Sequence, residues 1–93
     1  MIRHIVMWKL KNPADAPRFK ALLDSCAALV PGMLAFEAGI RSADLEANCD
    51  VVLVSTFADV AALQAYLTHP HHKTVGAELG PMRHERHVLD YLV

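Results

Sequence analysis

Ninety-three residues are enough for one domain and too few for two, because domain sizes cluster near ~100–150 residues. Hydrophobic residues make up 54% of the chain, a share that excludes intrinsic disorder. Nine Lys and Arg against ten Asp and Glu give a net charge of −1, so the basic surplus typical of nucleic-acid-binding proteins is missing. A domain of this size buries only roughly 60–65% of its unfolded surface, so we expect a second copy to cover part of the remaining apolar surface.

The sequence contains no segment that predicts membrane insertion or export. No apolar run approaches the ~20 residues needed to span a bilayer, and the first residues lack the pattern of a signal peptide. We therefore expect a cytoplasmic protein with no membrane contact. Cys26 and Cys49 are too few for a disulfide scaffold, and we expect both to be reduced.

The first half of the chain predicts a strand, a helix and a second strand. Residues 2–11 alternate in hydrophobicity, which is typical of a strand with one buried face. The residues predicted on that face are His4, Val6, Trp8 and Leu10. A helix is predicted from the N-cap Asp15 to Val30, where a Pro-Gly pair ends it. Residues 33–41 alternate again and predict the second strand.

The second half predicts a buried strand, two helices and a final strand. Residues 50–57 are rich in β-branched residues and apolar on both faces, as in a central strand covered on both sides. Asp59 caps the next helix, which ends before Pro70 because the residue preceding a proline disfavours the helical conformation. Pro70 opens a short helix over 71–79, and residues 83–92 form the last strand.

These elements predict one α+β domain over residues 1–93. The order β-α-β-β-α-β is the ferredoxin-like arrangement, a four-stranded antiparallel sheet with helices on one face. One helical layer covers one face of such a sheet, whereas residues 50–57 and the hydrophobic surplus both call for burial of the other face. A homodimer that joins two sheets through their open faces, a dimeric α+β barrel, satisfies all three observations.

Three segments of the chain form a recognisable pattern. Residues 3–6 read Arg-His-Ile-Val, and residues 50–53 read Asp-Val-Val-Leu and lead to Phe-Ala-Asp at 57–59. The most specific segment is Tyr-x-x-His-Pro-x-His over residues 66–72. With Asp-Tyr near the end of the chain, the pattern resembles the stress-responsive A/B barrel (Dabb) domains over nearly the whole sequence. The resemblance implies a homodimer with a cavity between sheet and helices in each subunit.

One branch of that family implies a chemical role for the motif. Plant polyketide cyclases of the olivetolic acid type close a linear tetraketide by intramolecular aldol condensation. The resemblance assigns the general base to His72 and the hydrogen bond to the reacting oxygen to Tyr66. It places His4 in the pocket as a substrate-binding residue. A further histidine of that branch falls at Val51 here, which argues against a polyketide substrate more than against acid–base chemistry.

The same residues can be interpreted from their chemistry alone. Imidazole has an unperturbed pKa of about 6.5, which suits proton transfer near neutral pH. The turn at Pro70 carries His72 back toward the end of the helix that holds Tyr66 and His69. An imidazole beside a phenol in an apolar cavity could abstract a carbon-bound proton while the phenol stabilises the enolate. The structural alternative is that His69 and His72 satisfy free backbone groups at the helix ends.

Trp8 and the remaining histidines leave further alternatives open. Trp8 is a candidate substrate-binding residue beside His4 and His69, although a core position explains it more simply. His4 at a strand start could equally hydrogen-bond a neighbouring carbonyl. His69, His71 and His72 match no zinc-binding spacing, and the chain has no glycine-rich phosphate loop or nucleophile turn. We therefore expect no metal and no cofactor.

Three functional hypotheses follow. The first is a homodimer that binds a small molecule, such as an apolar carbonyl compound, without chemistry of its own. The second is a cofactor-independent cyclase, isomerase or lyase that acts on an enolisable carbonyl compound with His72 as base. The third is a cofactor-free monooxygenase of the related dimeric-barrel group, in which Trp8 and the histidines would act. A closed core around His72 favours the first hypothesis, and an open apolar pocket with a converging Tyr and His favours the second.

Overall fold

The computed structural model describes all 93 residues and contains four strands and three helices. The strands are β1 (Ile2–Leu10), β2 (Met33–Ile40), β3 (Val51–Phe57) and β4 (Arg83–Leu92). The helices are α1 (Ala16–Asp24), α2 (Val60–Thr68) and α3 (Pro70–Leu79). Short 3-10 turns precede α1 (Pro13–Asp15) and follow α3 (Gly80–Met82). None of the helices combines the length and the apolar character that a membrane-spanning helix needs.

The four strands form one antiparallel sheet in the order β2-β3-β1-β4. This order confirms the predicted ferredoxin-like α+β fold, with β3 and β1 at the centre. In the register, Val6 lies opposite Leu53 of β3, and His4 lies opposite Ser55. The alternation predicted for the first strand is confirmed, because His4, Val6 and Trp8 are all buried on one face.

The core lies between that sheet face and the three helices. The helices contribute Ala16, Phe19, Leu23, Ala62, Leu63, Tyr66, Val75 and Leu79 to a single hydrophobic cluster. Trp8 of β1 packs edge-on against Phe19 of α1, with ring centroids 5.0 Å apart. Burial of each large apolar side chain contributes about 1.5–3 kcal/mol, so this cluster holds the helices on the sheet.

Helix α1 ends earlier than predicted. The apolar spacing predicted a helix to Val30, but the helix ends at Asp24. Ser25 explains the ending, because its Oγ donates to the Leu22 carbonyl at 2.6 Å and the following amides bond three residues back instead of four. Ala28 then adopts a positive φ of 59°, which no helix accommodates. Cys26 is nevertheless fully buried. The helical spacing of apolar residues therefore identified a buried residue beyond Asp24, where the chain is no longer helical.

The two predicted N-caps have different outcomes. Asp59 caps α2 as predicted, since its Oδ1 accepts from the Ala62 amide at 2.8 Å. Asp15 precedes α1 but its side chain makes no capping hydrogen bond. The 3-10 turn before α1 is capped by Asn12 instead, whose Oδ1 accepts from the Ala14 amide at 3.1 Å. The sequence did not reveal this turn, so its cap was assigned three residues too late.

Gly32 joins the α1 segment to β2 in a conformation that favours glycine. Its φ is +88°, and its carbonyl accepts from the Ala58 amide at 2.8 Å. A Cβ added at this position would lie 2.8 Å from the Cβ of Ala62 in α2, well inside van der Waals contact. The Pro-Gly pair therefore does more than end a helix, because only glycine lets β2 approach α2 this closely.

We expect Gly32→Ala to lower the free energy of unfolding by about 2–4 kcal/mol. The added Cβ is strained in the left-handed backbone conformation, and the backbone must also shift to relieve its clash with the Cβ of Ala62. Chemical denaturation measures the change. Gly76→Ala in α3 is the matched control, because a Cβ there meets nothing within 4 Å and alanine favours a helix. Equal stability of the two variants would contradict the assigned role of Gly32.

The face of the sheet opposite the helices is open and partly apolar. Ile5 and Val54 lie opposite each other on it and are half-buried by their neighbours. Met7, Leu89 and Tyr91 lie on the same face and are 42%, 64% and 39% exposed. This combination of a covered face and an open apolar face is the pattern predicted from residues 50–57.

Candidate active site

A partly open cavity of about 190 Å³ lies between the sheet and helices α1 and α3. Hydrophobic residues form eight of its 14 lining positions, so most of the wall is apolar. The side chains that bring polar atoms to it are His4, Tyr66, His72, Arg83, Arg86 and Cys26. The cavity therefore has the composition of a small-molecule site, an apolar wall with a few convergent polar groups.

The turn between α2 and α3 brings Tyr66 and His72 together. Tyr66 lies in the last turn of α2, and His72 lies in the first turn of α3 after the break at Pro70. Their ring centroids are 4.6 Å apart in an edge-on arrangement with an interplanar angle of 60°. Tyr66 is almost completely buried, whereas His72 is half-buried at the cavity. A segment of seven residues thus places a phenol and an imidazole in contact.

The buried His4 forms a hydrogen bond with a partly exposed aspartate of the neighbouring strand. Its Nδ1 is hydrogen-bonded to Oδ1 of Asp90, which lies opposite it in the β1–β4 register. An ionised carboxylate only accepts hydrogen bonds, so Nδ1 of His4 is the donor in this pair. The His4 ring is 6.4 Å from the Tyr66 ring. The cavity therefore holds two imidazoles in different environments.

Burial shifts the pKa values of the phenol and of one imidazole in opposite directions. Desolvation raises the pKa of Tyr66, and the charge of a Cys26 thiolate would act in the same direction. Desolvation lowers the pKa of His72, and a hydrogen bond to the Leu67 backbone opposes this shift. Positive charge on His4 and Arg86 lowers the pKa further. At neutral pH Tyr66 is therefore a proton donor, and His72 is a neutral proton acceptor.

Two other predicted substrate-binding residues occupy different positions. Trp8 lines the cavity and also packs against Phe19 in the core, so the core interpretation is confirmed and substrate binding by Trp8 stays a prediction. His69 does not line the cavity. Its Nδ1 accepts from the His71 amide at 3.1 Å and caps α3, which is the structural alternative considered for this residue. His71 Nε2 lies 2.8 Å from Ser25 Oγ, and no three His, Cys, Asp or Glu side chains are grouped to hold a metal ion.

Sequence reasoning missed Asp90 and two arginines of the site. Asp90 was noted in the Asp-Tyr pair but given no role, and its contact with His4 joins residues 86 positions apart. Arg83 and Arg86 line the cavity from the start of β4. Alternation within β4 was the available signal, since Arg86, Val88 and Asp90 share one face. Only the pairing of β4 with β1 shows that this face turns toward His4.

A protein-family comparison matches the chain over almost its full length. The family model described as the Stress Responsive A/B Barrel Domain, Dabb, matches residues 2–93. Among curated proteins, none matches the chain.

Three solved structures are similar to the chain in fold. A dimeric ferredoxin-like protein of unknown function from Jannaschia sp. is 29% identical with a TM-score of 0.78, and 99% of this chain and 98% of that chain are covered. A Dabb family protein from Mesorhizobium loti is 25% identical with a TM-score of 0.81, and 99% and 95% are covered. The hydroxynitrile lyase from Passiflora edulis is 22% identical with a TM-score of 0.81, and 99% and 92% are covered.

Proposed function

The chain belongs to the stress-responsive A/B barrel (Dabb) family. We propose that it binds a small enolisable carbonyl compound and transfers a proton on it without a cofactor. The reaction class is that of a lyase, isomerase or cyclase, with His72 as general base and Tyr66 as hydrogen-bond donor. The contact between these two rings in an open apolar cavity carries the proposal. A closed core around His72 would have favoured binding without chemistry.

The proposed proton transfer uses both shifted pKa values. Neutral His72 accepts a proton from the carbon next to the substrate carbonyl. The electron pair of that C–H bond forms the C=C bond of the enolate, and the π pair of the carbonyl moves onto its oxygen. Tyr66, held protonated by burial, donates a hydrogen bond to the enolate oxygen as its charge develops. The imidazolium of His72 then returns the proton to a carbon of the product in an isomerisation, or to the alkoxide oxygen formed when the enolate carbon attacks a second carbonyl in a cyclisation. A base with a lowered pKa is present in its active form at neutral pH.

His4 and Asp90 support this reaction from the opposite wall. The hydrogen bond from Nδ1 to Asp90 fixes the ring orientation of His4 and leaves Nε2 for a substrate oxygen. Asp90 is then a positioning residue, because it acts on the substrate through His4. Trp8 supplies apolar surface beside His4.

The cavity volume supports a small substrate. An engineered apolar cavity of about 150 Å³ binds benzene, whereas sites for drug-sized ligands measure about 300–1,000 Å³. At about 190 Å³ this cavity accommodates a compound with one ring or a short chain. A linear tetraketide is larger, and its size adds to the argument from Val51 against a polyketide substrate.

The hydroxynitrile lyase from Passiflora edulis has a similar fold, and its name describes a lyase. That similarity concerns the fold alone at 22% identity. The proposed chemistry therefore rests on the rings of Tyr66 and His72.

We expect Tyr66→Phe to slow proton transfer about 10–10³-fold, since it removes one donor to the developing oxyanion. The ring should stay packed, because Phe57 and His72 lie beside the ring itself, with centroids 5.2 Å and 4.6 Å away. Exchange of α-protons of small β-keto acids and ketones in deuterated water, followed by NMR, measures the rate.

The matched control is Tyr91→Phe, which removes an exposed phenol outside the cavity and should leave the exchange rate unchanged. Full exchange activity in Tyr66→Phe would contradict the role of this phenol. If compounds bind to the wild type while none exchanges, the protein is a binding module and the catalytic proposal is wrong.

We also propose that two chains pair through their open sheet faces. The support is the apolar surface formed by Ile5, Met7, Val54 and Leu89, which the helices leave uncovered. The protein from Jannaschia sp., whose similarity covers 99% of this chain, is described as dimeric. A two-fold axis would place each residue of the patch against the same patch of the second copy, as in most homodimers.

A further inference from the structure

We propose that the compound bound in this cavity carries a carboxylate group, held at the cavity mouth by Arg83 and Arg86. This inference rests on the proposed function, because it names the substrate class of the same site. Three features of the first residues of β4 support it: the register of the strand, the absence of ion pairs at the two arginines, and the apolar cavity wall beside them.

The register of β4 aims both arginines at the cavity. Residues three apart on a regular strand point to opposite faces of the sheet. The β1–β4 register shifts between Lys9 and Leu10, so that Lys9 pairs with Glu85 while Leu10 pairs with Arg83. This bulge lets Arg83 line the cavity together with Arg86. Bulges are frequent next to active sites because they redirect a side chain in this way.

Neither arginine has an acidic partner. The ion pairs of the chain join other residues, and the acidic side chain closest to them in sequence, Glu85, pairs with His87 at 3.5 Å. No aspartate or glutamate lines the cavity itself, and the carboxylate of Asp90, on the same face of β4, is paired with His4. Two arginines therefore line a largely apolar cavity without an ion-pair partner. An anionic ligand would complete the site electrostatically.

The chemistry of the arginines favours a carboxylate as the anion. A guanidinium group offers a planar fork of donors that matches the two carboxylate oxygens, and such charge-assisted pairs are the stronger hydrogen bonds in proteins. The rest of the wall is apolar, with Trp8, Leu53 and Val75 available to contact hydrocarbon. The volume of about 190 Å³ limits that hydrocarbon to one ring or a short chain. Benzoate is the simplest compound with these properties, and benzamide is its uncharged counterpart.

The test is a titration of the wild-type protein with benzoate and with benzamide. Trp8 is the single tryptophan of the chain and lines the cavity, so its fluorescence reports binding. We expect benzoate to bind at least about tenfold more tightly than benzamide. The affinity for benzoate should fall when the salt concentration is raised from about 50 to about 500 mM. In Arg83→Gln/Arg86→Gln the affinity for benzoate should fall at least about tenfold, while that for benzamide should not change.

Arg18→Gln is the matched control, because Arg18 is exposed on α1 and does not line the cavity. The inference is overturned if benzoate and benzamide bind equally, if the double variant keeps its affinity for benzoate, or if neither compound alters Trp8 fluorescence. Arg83 and Arg86 are exposed, so the substitutions leave the core intact, and circular dichroism verifies this.

The outcome is separable from that of the proposed function. If neutral ketones undergo exchange that depends on His72 as fast as keto acids do, the carboxylate inference fails and proton transfer stands. If carboxylates bind through the two arginines but no compound exchanges, the carboxylate inference stands and the catalytic proposal fails.

Discussion

Replacing His72 with Ala is expected to lower kcat by about 10²–10⁴-fold, the usual contribution of a general acid–base residue. The loss follows because His72 is the proposed base, with its ring against Tyr66 and a pKa lowered by burial. The exchange of α-protons under single-turnover conditions measures the effect. His84→Ala is the control, since His84 is exposed and does not line the cavity.

The pH dependence of the same reaction identifies the base. Only neutral His72 accepts a proton, so the rate should rise with pH through the pKa of His72 and reach a plateau above it. Because burial lowers that pKa, the rise should lie below the ordinary histidine value of about 6.5. The residual rate of His72→Ala should lack this step. Turnover that survives the substitution with an unchanged pH profile would show that His72 is not the base.

We expect Val54→Asp to abolish the folded dimer and to give aggregation or unfolding instead of a stable monomer. Val54 lies on the open face of β3, opposite Ile5 in β1 and Glu37 in β2. In a face-to-face dimer the new carboxylate is buried without a partner, which costs about 3–5 kcal/mol against a total stability of about 5–15 kcal/mol. Light scattering after size-exclusion chromatography, together with circular dichroism, measures the outcome.

Val60→Asp is the matched control for that experiment. Val60 begins α2 and is 58% exposed, and a negative charge there interacts favourably with the helix dipole. This variant should keep the mass and the fold of the wild type. A wild-type protein that is a compact monomer at micromolar concentration, or a folded monomeric Val54→Asp, would refute the proposed dimer.

The prolines and the capping residue Asp59 explain why most element boundaries were predictable. Each acts within a few residues of its own position, either by removing a helical conformation or by accepting a specific amide hydrogen bond. Asp59 and Pro70 thus bound α2 and α3 as predicted. The predicted end of α1 was wrong, because the non-helical residues after Asp24 still hold Cys26 and Val30 against the core. Burial of Cys26 and partial burial of Val30 therefore gave the same apolar spacing as a longer helix.

Within the candidate site, contacts between residues close in sequence could be predicted, whereas contacts between distant strands could not. Tyr66 and His72 share a seven-residue segment, so their proximity could be predicted from the turn at Pro70. His4 could be placed on the helix-covered face by alternation alone. Asp90 could not be assigned, because its contact with His4 depends on the register between the first and last strands.

The sequence by itself determined the order of the elements, the central position of residues 51–57 and the face that carries His4, because periodicity and capping act over a few neighbouring residues. Only the tertiary structure decided which side chains share the cavity. Strict alternation would place Arg83 and Arg86 on opposite faces, and the irregular pairing beside Leu10 brings both to one. A register shift arises from packing between strands that are distant in sequence, so no local pattern of hydrophobicity encodes it.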